Sequence, residues 1–486
     1  MKRVVIFCTL LVLAVFLAGC TAPTSSKEAN KKILRMATGK DNFYSCAWDG
    51  RAHLYSEGLL TFDQQWNYKP LLAERWSVSE DGKIYTFFLR KGIKFHDNTP
   101  FNAEAVKYAF DTYLLKQPGP ELANTTSIDV VDEYTVRITL AKPNPVFLSN
   151  LAVYKEILSP TAVERALKEG VKPEDLVGRV FVGTGPFKFK EWRKGQEIIF
   201  VKNEDYWQGE VQIDKVVVKV IPDASSRVLS LVANEVDMLG QDMFSNIPYQ
   251  EVADLENNKD IKVIMKQADY SPNWFSFNTG KEPFNDPNIR KAISYAVNTQ
   301  EIVNAIFGKG AVLPARGPIG EGSKYYNPSL KMHDYNPERA RQLLAGAGYV
   351  DTNGDEILEK DGKPFKLTLS IEMRRDEWKK VAELIQSQLK KVGLELEIQC
   401  YEMGALRERW KKGDFDLIQQ SAIGMPHDDP QMFFEVYFSN KSKLPYPPVI
   451  KDKQLDELIE NLSYVTGQER VEVYHQIQSR IEELTA

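Results

Sequence analysis

"FKLTLSIEM" (365–373), "EWKKVAELIQSQLKKVG" (377–393), "LELEIQC" (394–400) and "FDLIQQS" (415–421) follow one another in a single stretch whose reading decides the fold. Leu394, Leu396, Ile398 and Cys400 alternate, which predicts a strand with those four turned inward, while residues 377–393 carry a helical repeat closed by Gly393. The first and last segments read as further strands. Strand, helix and strand in this order imply a right-handed crossover in a parallel or mixed sheet. Ligands of such sheets settle outside the carboxyl ends of the strands, and "SAIGMPHDDP" (421–430) starts where "FDLIQQS" stops. Position alone makes that loop a ligand-facing candidate.

Outward from here the pattern stays mixed α/β. "ILRMATG" (33–39), "KIYTFFLRKGIKF" (83–95), "EIIFVKN" (197–203) and "KVVVKVIPD" (215–223) read as strands by alternation and β-branched content. "FNAEAVKYAFDTYLL" (101–115) reads as a helix capped by Asn102, and "ASSRVLSLVANEV" (224–236) as another. "NIRKAISYAVNTQEIVNAIFG" (288–308) reads as one long amphipathic helix, with Ile289, Ile293, Ala296, Val297 and Val303 largely on one face. At 486 residues, 43% apolar and 27% charged, the chain is too long for one core and implies two or three lobes.

The beginning of the chain differs in kind. Lys2 and Arg3 precede the apolar run "VVIFCTLLVLAVF" (4–16) and then "LAGC" (17–20). The apolar segment is about 16 residues against the roughly 20 that a span needs, so residues 1–19 read as an export signal rather than a permanent helix. Leu17, Ala18 and Gly19 before Cys20 resemble the bacterial lipobox, which makes Cys20 the expected lipidation site. The polar stretch "TAPTSSKEANKK" (21–32) reads as a flexible tether, completing a lipidated segment over 20–32 and placing the folded body outside the cytoplasm, anchored to the cell membrane. Of four cysteines, Cys8 leaves with the signal and Cys20 carries lipid, so Cys46 and Cys400 remain and read as buried thiols. The formal charge of −5, without long single-sign runs, offers no stripe for a nucleic-acid backbone, and no nucleic-acid partner is expected.

His427, Asp428 and Asp429 are adjacent, and three consecutive side chains do not converge easily on one ion. None of the five histidines (His53, His96, His333, His427, His475) is paired at ligand spacing, so no metal ligand is assigned. "DTNGDEILEKDG" (351–362) places Asp351, Asn353 and Asp355 at alternate positions, as calcium loops do. An EF-hand needs Gly sixth and Glu twelfth, however, where this chain has Glu356 and Gly362, so a turn between strands is the default. No nucleophile elbow, zinc-protease, phosphate-loop or dinucleotide motif occurs, and neither catalytic residues nor a cofactor are assigned. A tethered, multi-lobed α/β body of this kind is most simply a receptor that closes on a small molecule.

"LLAERWSVSEDGKIYTFFLRKGIKFHDNTPFNAEAVKYAFD" (71–111), "GTGPFKFKEWRKGQEIIFVKNEDYW" (183–207) and "FNDPNIRKAISYAVN" (284–298) resemble the signature blocks of the family 5 solute-binding proteins of ABC importers, the oligopeptide, dipeptide and nickel-binding group. The resemblance implies a two-lobe periplasmic-binding-protein fold with a hinge between the lobes and an extra domain in the first. Residues 33–65 and 186–280 would form lobe I, 66–185 its extra domain and 281–486 lobe II. Members of the family continue with an apolar return to the first lobe, which does not appear before Ala486.

The resemblance also implies site residues. Where peptide binders carry a Trp and then an Asp, this chain has Ile423 and Pro426, while "GMPHDD" (424–429) resembles the "GxPYD" of the nickel and metallophore branch with His427 at the Tyr position. Tyr44 matches a tyrosine lining that branch's cleft, and Lys155 and Lys116 fall where it has arginines; an ammonium lacks the bidentate geometry of a guanidinium. Asp428 can pair with a ligand amine, and Trp48 and Trp274 are candidate aromatic walls. A peptide, an opine-like metallophore and a nickel chelate all remain open as ligands of a monomer that delivers to ABC permease subunits. Asp428 and Asp429 also suit an N-cap for a helix beginning near Pro430. A secreted peptide-processing enzyme and a surface chaperone or scaffold are the readings from other classes.

Overall fold

The computed structural model describes residues 31–41, 50–63, 67–116, 122, 124–153, 156–240, 247–264, 273–308, 314–331, 334–373, 376–421, 429–441 and 450–484. The first part of the chain runs β1 (Ile33–Thr38), β2 (Leu60–Phe62), β3 (Tyr68–Pro70), β4 (Ala73–Val78), β5 (Ile84–Leu89), α1 (Ala103–Thr112), β6 (Thr125–Asp132) and β7 (Thr135–Leu140). It continues with α2 (Phe147–Val153), α3 (Pro160–Lys168), β8 (Phe187–Arg193), β9 (Glu197–Lys202), β10 (Lys215–Val220), α4 (Ala224–Val232) and α5 (Tyr249–Glu256).

Two four-stranded sheets organise this part. One has the order β1-β10-β9-β8, with β1 parallel to β10 and the remaining pairs antiparallel; the other, β4-β5-β7-β6, is antiparallel throughout. Helix α1 starts as the sequence predicts, Asn102 accepting from Ala105 N at 3.0 Å, and buries Ala105, Val106, Ala109 and Phe110. One apolar core, from Met36 to Val218, spans both sheets.

The second part runs β11 (Asn273–Phe277), α6 (Pro287–Ala296), α7 (Thr299–Phe307), α8 (Pro337–Gly346), β12 (Glu359–Lys360), β13 (Lys363–Pro364), β14 (Lys366–Glu372), α9 (Asp376–Lys390) and β15 (Glu395–Tyr401). It ends with α10 (Met403–Lys412), β16 (Leu417–Ser421), α11 (Gln431–Tyr437), α12 (Lys453–Asn461) and α13 (Gly467–Leu484). Its sheet has the order β11-β16-β14-β15; β14 is parallel to both β15 and β16, and α9 makes the crossover that the sequence implies. Neighbouring residues of β16 face opposite ways: Leu417 joins a core with α6, α8 and α9, and Ile418 joins a core with α10, α11, α12 and α13. Along β14, Leu367, Leu369 and Ile371 all turn to the core shared with α6, α8 and α9, while the alternate residues Ser370 and Glu372 are buried as well.

Three expectations change. Strand β11, assigned above to lobe I within 186–280, pairs antiparallel with β16, so residues 273–277 belong to the second sheet. The single helix expected over 288–308 is two, because Val297 is extended and Asn298 caps a new helix by accepting from Glu301 N at 3.0 Å. Cys400, expected inward, is exposed near the end of β15, the edge strand of its sheet among the described residues, so it is no buried thiol. Cys46 and Cys20 lie outside the described residues.

Candidate ligand-binding site

The parallel strands β14, β15 and β16 end together at Glu372, Tyr401 and Ser421, and Gln419 Oε1 accepts from Glu372 N at 2.9 Å, tying two of those ends. Residues 422–428, the loop that leaves this edge, lie outside the described residues, and with them His427 and Asp428; so do Tyr44, Trp48 and Lys155.

The far end of the loop is anchored at Asp429. Its carboxylate is buried and meets Arg470 of α13 as a two-pronged fork, Nε to Oδ2 and Nη2 to Oδ1, both at 2.8 Å. Tyr325 donates to Oδ2 at 2.8 Å, Tyr474 donates to Oδ1, and Gln431 N reaches Oδ1 at 3.1 Å. Arg470 also donates to Gln431 Oε1 at 2.7 Å and to the Leu462 carbonyl. Burial alone would raise the Asp429 pKa, but the Arg470 charge and these donors hold it below the ordinary aspartate value. Burial, reinforced by Asp429, pushes the Tyr325 and Tyr474 hydroxyls up, so both stay protonated donors.

Helix α11 begins at Gln431, one residue after Pro430, so Asp429 contributes a cap-like contact as the sequence suggests, while its larger part is the ion pair that the sequence does not announce. Arg470 and Tyr474 sit one helical turn apart on α13; nothing local connects them to a carboxylate 41 residues earlier.

Trp274, on β11, packs edge-on against Phe433 and Tyr437 at centroid distances of 5.2 and 4.9 Å and donates Nε1–H to Ser276 Oγ at 2.9 Å. It therefore buttresses α11, the helix that follows the loop. Lys116 is exposed at the end of a single-turn segment, Leu114–Lys116, in the first part of the chain, whose Leu114 is buried in the core there. A residue missed by sequence reasoning is Gln420 on β16, just before the loop: it is buried and its Nε2 has no acceptor among the described residues. Burial also raises the Glu435 pKa on α11, opposed in part by its Gln431 contact and by the charge of Lys142.

The turn at 351–362 gathers carboxylate oxygens of Asp351, Asp355 and Glu359 within 4.8 Å of one another. Asp351 accepts from Gly354 N and Glu356 N, and Glu359 from Thr352 and Asn353, the self-bonded arrangement of a tight turn. The motif "GTGPF" likewise has a structural cause. A Cβ on Gly183 would lie 2.3 Å from the Tyr55 carbonyl oxygen, and one on Gly185 2.7 Å from the Tyr55 carbonyl carbon, so only glycine fits. Between them Thr184 donates to buried Glu57 at 2.8 Å, and Tyr206 and Trp207 donate to the same carboxylate at 2.8 Å.

Residues 67–444 match the family model "Bacterial extracellular solute-binding proteins, family 5 Middle". The chain belongs to this family. It is 33% identical over 444 residues to the dipeptide-binding protein of Escherichia coli, an alignment covering 84% of this chain and 78% of that one. It is 32% identical to heme-binding protein A of Haemophilus influenzae, again over 84% of this chain and 78% of the relative. Its fold superposes on NikA from Brucella suis, solved in complex with Fe(III)-EDTA, with a TM-score of 0.82, 26% identity and coverage of 93% and 92%. The two sheets with their separate cores are thus the two lobes of a family 5 binding protein, and the relatives are binding proteins rather than enzymes.

Proposed function

We propose that the protein is the extracytoplasmic receptor of an ABC importer, a lipoprotein anchored at Cys20 that captures a small polar ligand by lobe closure and hands it to the membrane permease. The observation that carries this reading is the anchored loop. The strand ends of the second lobe open onto residues 422–428, and the buried Asp429–Arg470 pair fixes where that segment re-enters the fold. His427 and Asp428, in that segment, are the ligand contacts of this reading. Asp428 pairs with a ligand amine, His427 donates or accepts beside it, and the buried Gln420 amide, whose Nε2 has no acceptor among the described residues, supplies a further donor for a ligand carbonyl or carboxylate. Tyr44 and Trp48 form aromatic wall, and Lys155 and Lys116 take anionic groups from the first lobe. Trp274 supports the wall from behind.

The ligand is a peptide or a metal chelate. The match with a dipeptide-binding relative favours the first, and the likeness to a structure holding Fe(III)-EDTA, together with "GMPHDD", favours the second. Native mass spectrometry of protein purified from its own host tests the reading: it should show one small ligand per chain, released on denaturation. A chelator then separates the cases, because a metal chelate loses affinity when its ion is stripped and a peptide does not. Turnover of peptide by the purified protein would instead establish the enzyme reading.

A further inference from the structure

An open hollow of about 440 Å³ lies on the first lobe, lined wholly by residues between His96 and Phe189 and by none of the second lobe. Its floor is the stacked pair Phe181 and Phe189, ring centroids 4.6 Å apart and both half-buried. One wall is the face of α3 that carries Ala162 and Ala166, whose small side chains leave the space open. Three cations border it: Arg165 from α3, Arg179 from the turn before the floor and Lys188 from β8. None of the three side-chain head groups has an ion-pair or hydrogen-bond partner among the described residues, whereas those of Arg35, Arg193, Arg341 and Arg480 are all paired with carboxylates. Two carboxylates also border the hollow. Asp97, held ionised by the Ser159 and Thr99 hydroxyls at 2.5 and 2.6 Å, and Glu169 offset two of the three positive charges, so the border keeps an excess of positive charge.

We propose that this hollow is a second ligand site, separate from the strand-end site of the other lobe, which takes a phosphate or carboxylate group carried on an apolar body. The cations would receive the anionic head and the two phenyl rings its body, a division of polar and apolar contacts usual in small-molecule sites. His96, facing the Gly185 carbonyl through Nε2 at 2.9 Å, reports on occupancy. Burial holds its pKa below the ordinary value and Lys188 adds to that, opposed in part by Asp97 and by the carbonyls of Gly185 and Phe181; an anion between Lys188, Arg165 and Arg179 reverses the Lys188 effect and raises it.

The probe is phenyl phosphate, titrated into the full chain at low salt, with inorganic phosphate beside it and the His96 ring followed by NMR. Saturable binding, tighter for phenyl phosphate than for phosphate, should accompany an upward shift of the His96 pKa. Arg165→Gln with Arg179→Gln should weaken it about tenfold or more, as expected for lost charge-assisted bonds, with the melting temperature unchanged. Lys168→Gln with Lys172→Gln, a nearby exposed pair that does not border the hollow, should change affinity less than about twofold. Anionic phosphatidylglycerol vesicles distinguish the sources of the head group: association abolished by the Arg165 and Arg179 changes makes it a lipid head group, and no association makes it a soluble ester. Failure of phenyl phosphate to saturate, or equal losses from the site pair and the control pair, would overturn the proposal.

Discussion

Asp429 and His427 are two residues apart, yet substitutions at them should have opposite signatures. Asp429→Ala leaves the Arg470 guanidinium buried and unpaired, and urea denaturation should show a loss of about 3–5 kcal/mol. His427→Ala and Asp428→Ala should leave the urea midpoint nearly unchanged and weaken ligand binding by about 1–3 kcal/mol, read by titration calorimetry. Unchanged affinity in both would remove them from the site. The pH dependence follows from the lowered Asp429 pKa: its contribution to stability is complete above the ordinary aspartate value, near 3.8, and is lost as pH falls through the lower folded value, so acid unfolding of Asp429→Asn should be flatter in that range. His427 and Asp428 were singled out by position at a strand end. Arg470 and Tyr325 were not, because a long-range buried ion pair leaves no local pattern, and the charge on Arg470 looks in sequence like any other on an amphipathic helix.

At the scale of elements, hydrophobic period and cap chemistry made most strands and helices readable, and the failures have local causes. Val297 continues the apolar face of α6, which hides the break, while Asn298, the signal for a new N-terminus, lies inside what looks like an uninterrupted run. Asn298→Ala should cost about 1 kcal/mol in thermal or urea unfolding, since only the Glu301 N–H loses its acceptor. Cys400 fits the alternation of β15 but occupies a sheet edge, and strand order across a sheet is not written in one strand. The block "GTGPF" could be recognised without being understood; its glycines are set by the backbone of Tyr55, more than a hundred residues earlier. Gly183→Ala should therefore destabilise more than about 3 kcal/mol or prevent folding, and circular dichroism of purified protein would show it.

At the scale of the whole molecule, among the described residues the first lobe's buried core has no member after Val218 and the second lobe's buried cores none before Phe277, the separation that the proposed closure of one lobe on the other requires. Small-angle scattering should give a smaller radius of gyration once the native ligand is added, and an unchanged radius at saturation would remove lobe closure from the mechanism. The two-lobe plan was legible only through the three signature blocks, because composition and period distinguish strands from helices but do not say which strands share a sheet. That is why β11 was placed with the wrong lobe.

The pairing of β1 with β10 has a consequence for how the chain is made. Lys32, at the edge of β1, hydrogen-bonds Asp214, 182 residues further on, so the first sheet cannot close until nearly half the chain has left the ribosome. Contacts so distant in sequence form slowly because the intervening loop must first be closed. During that interval β1 is without the strand it pairs with. A topology that delays its own completion would suit the exported receptor proposed above, because a chain that has not yet closed its first sheet is one that a membrane channel could still thread.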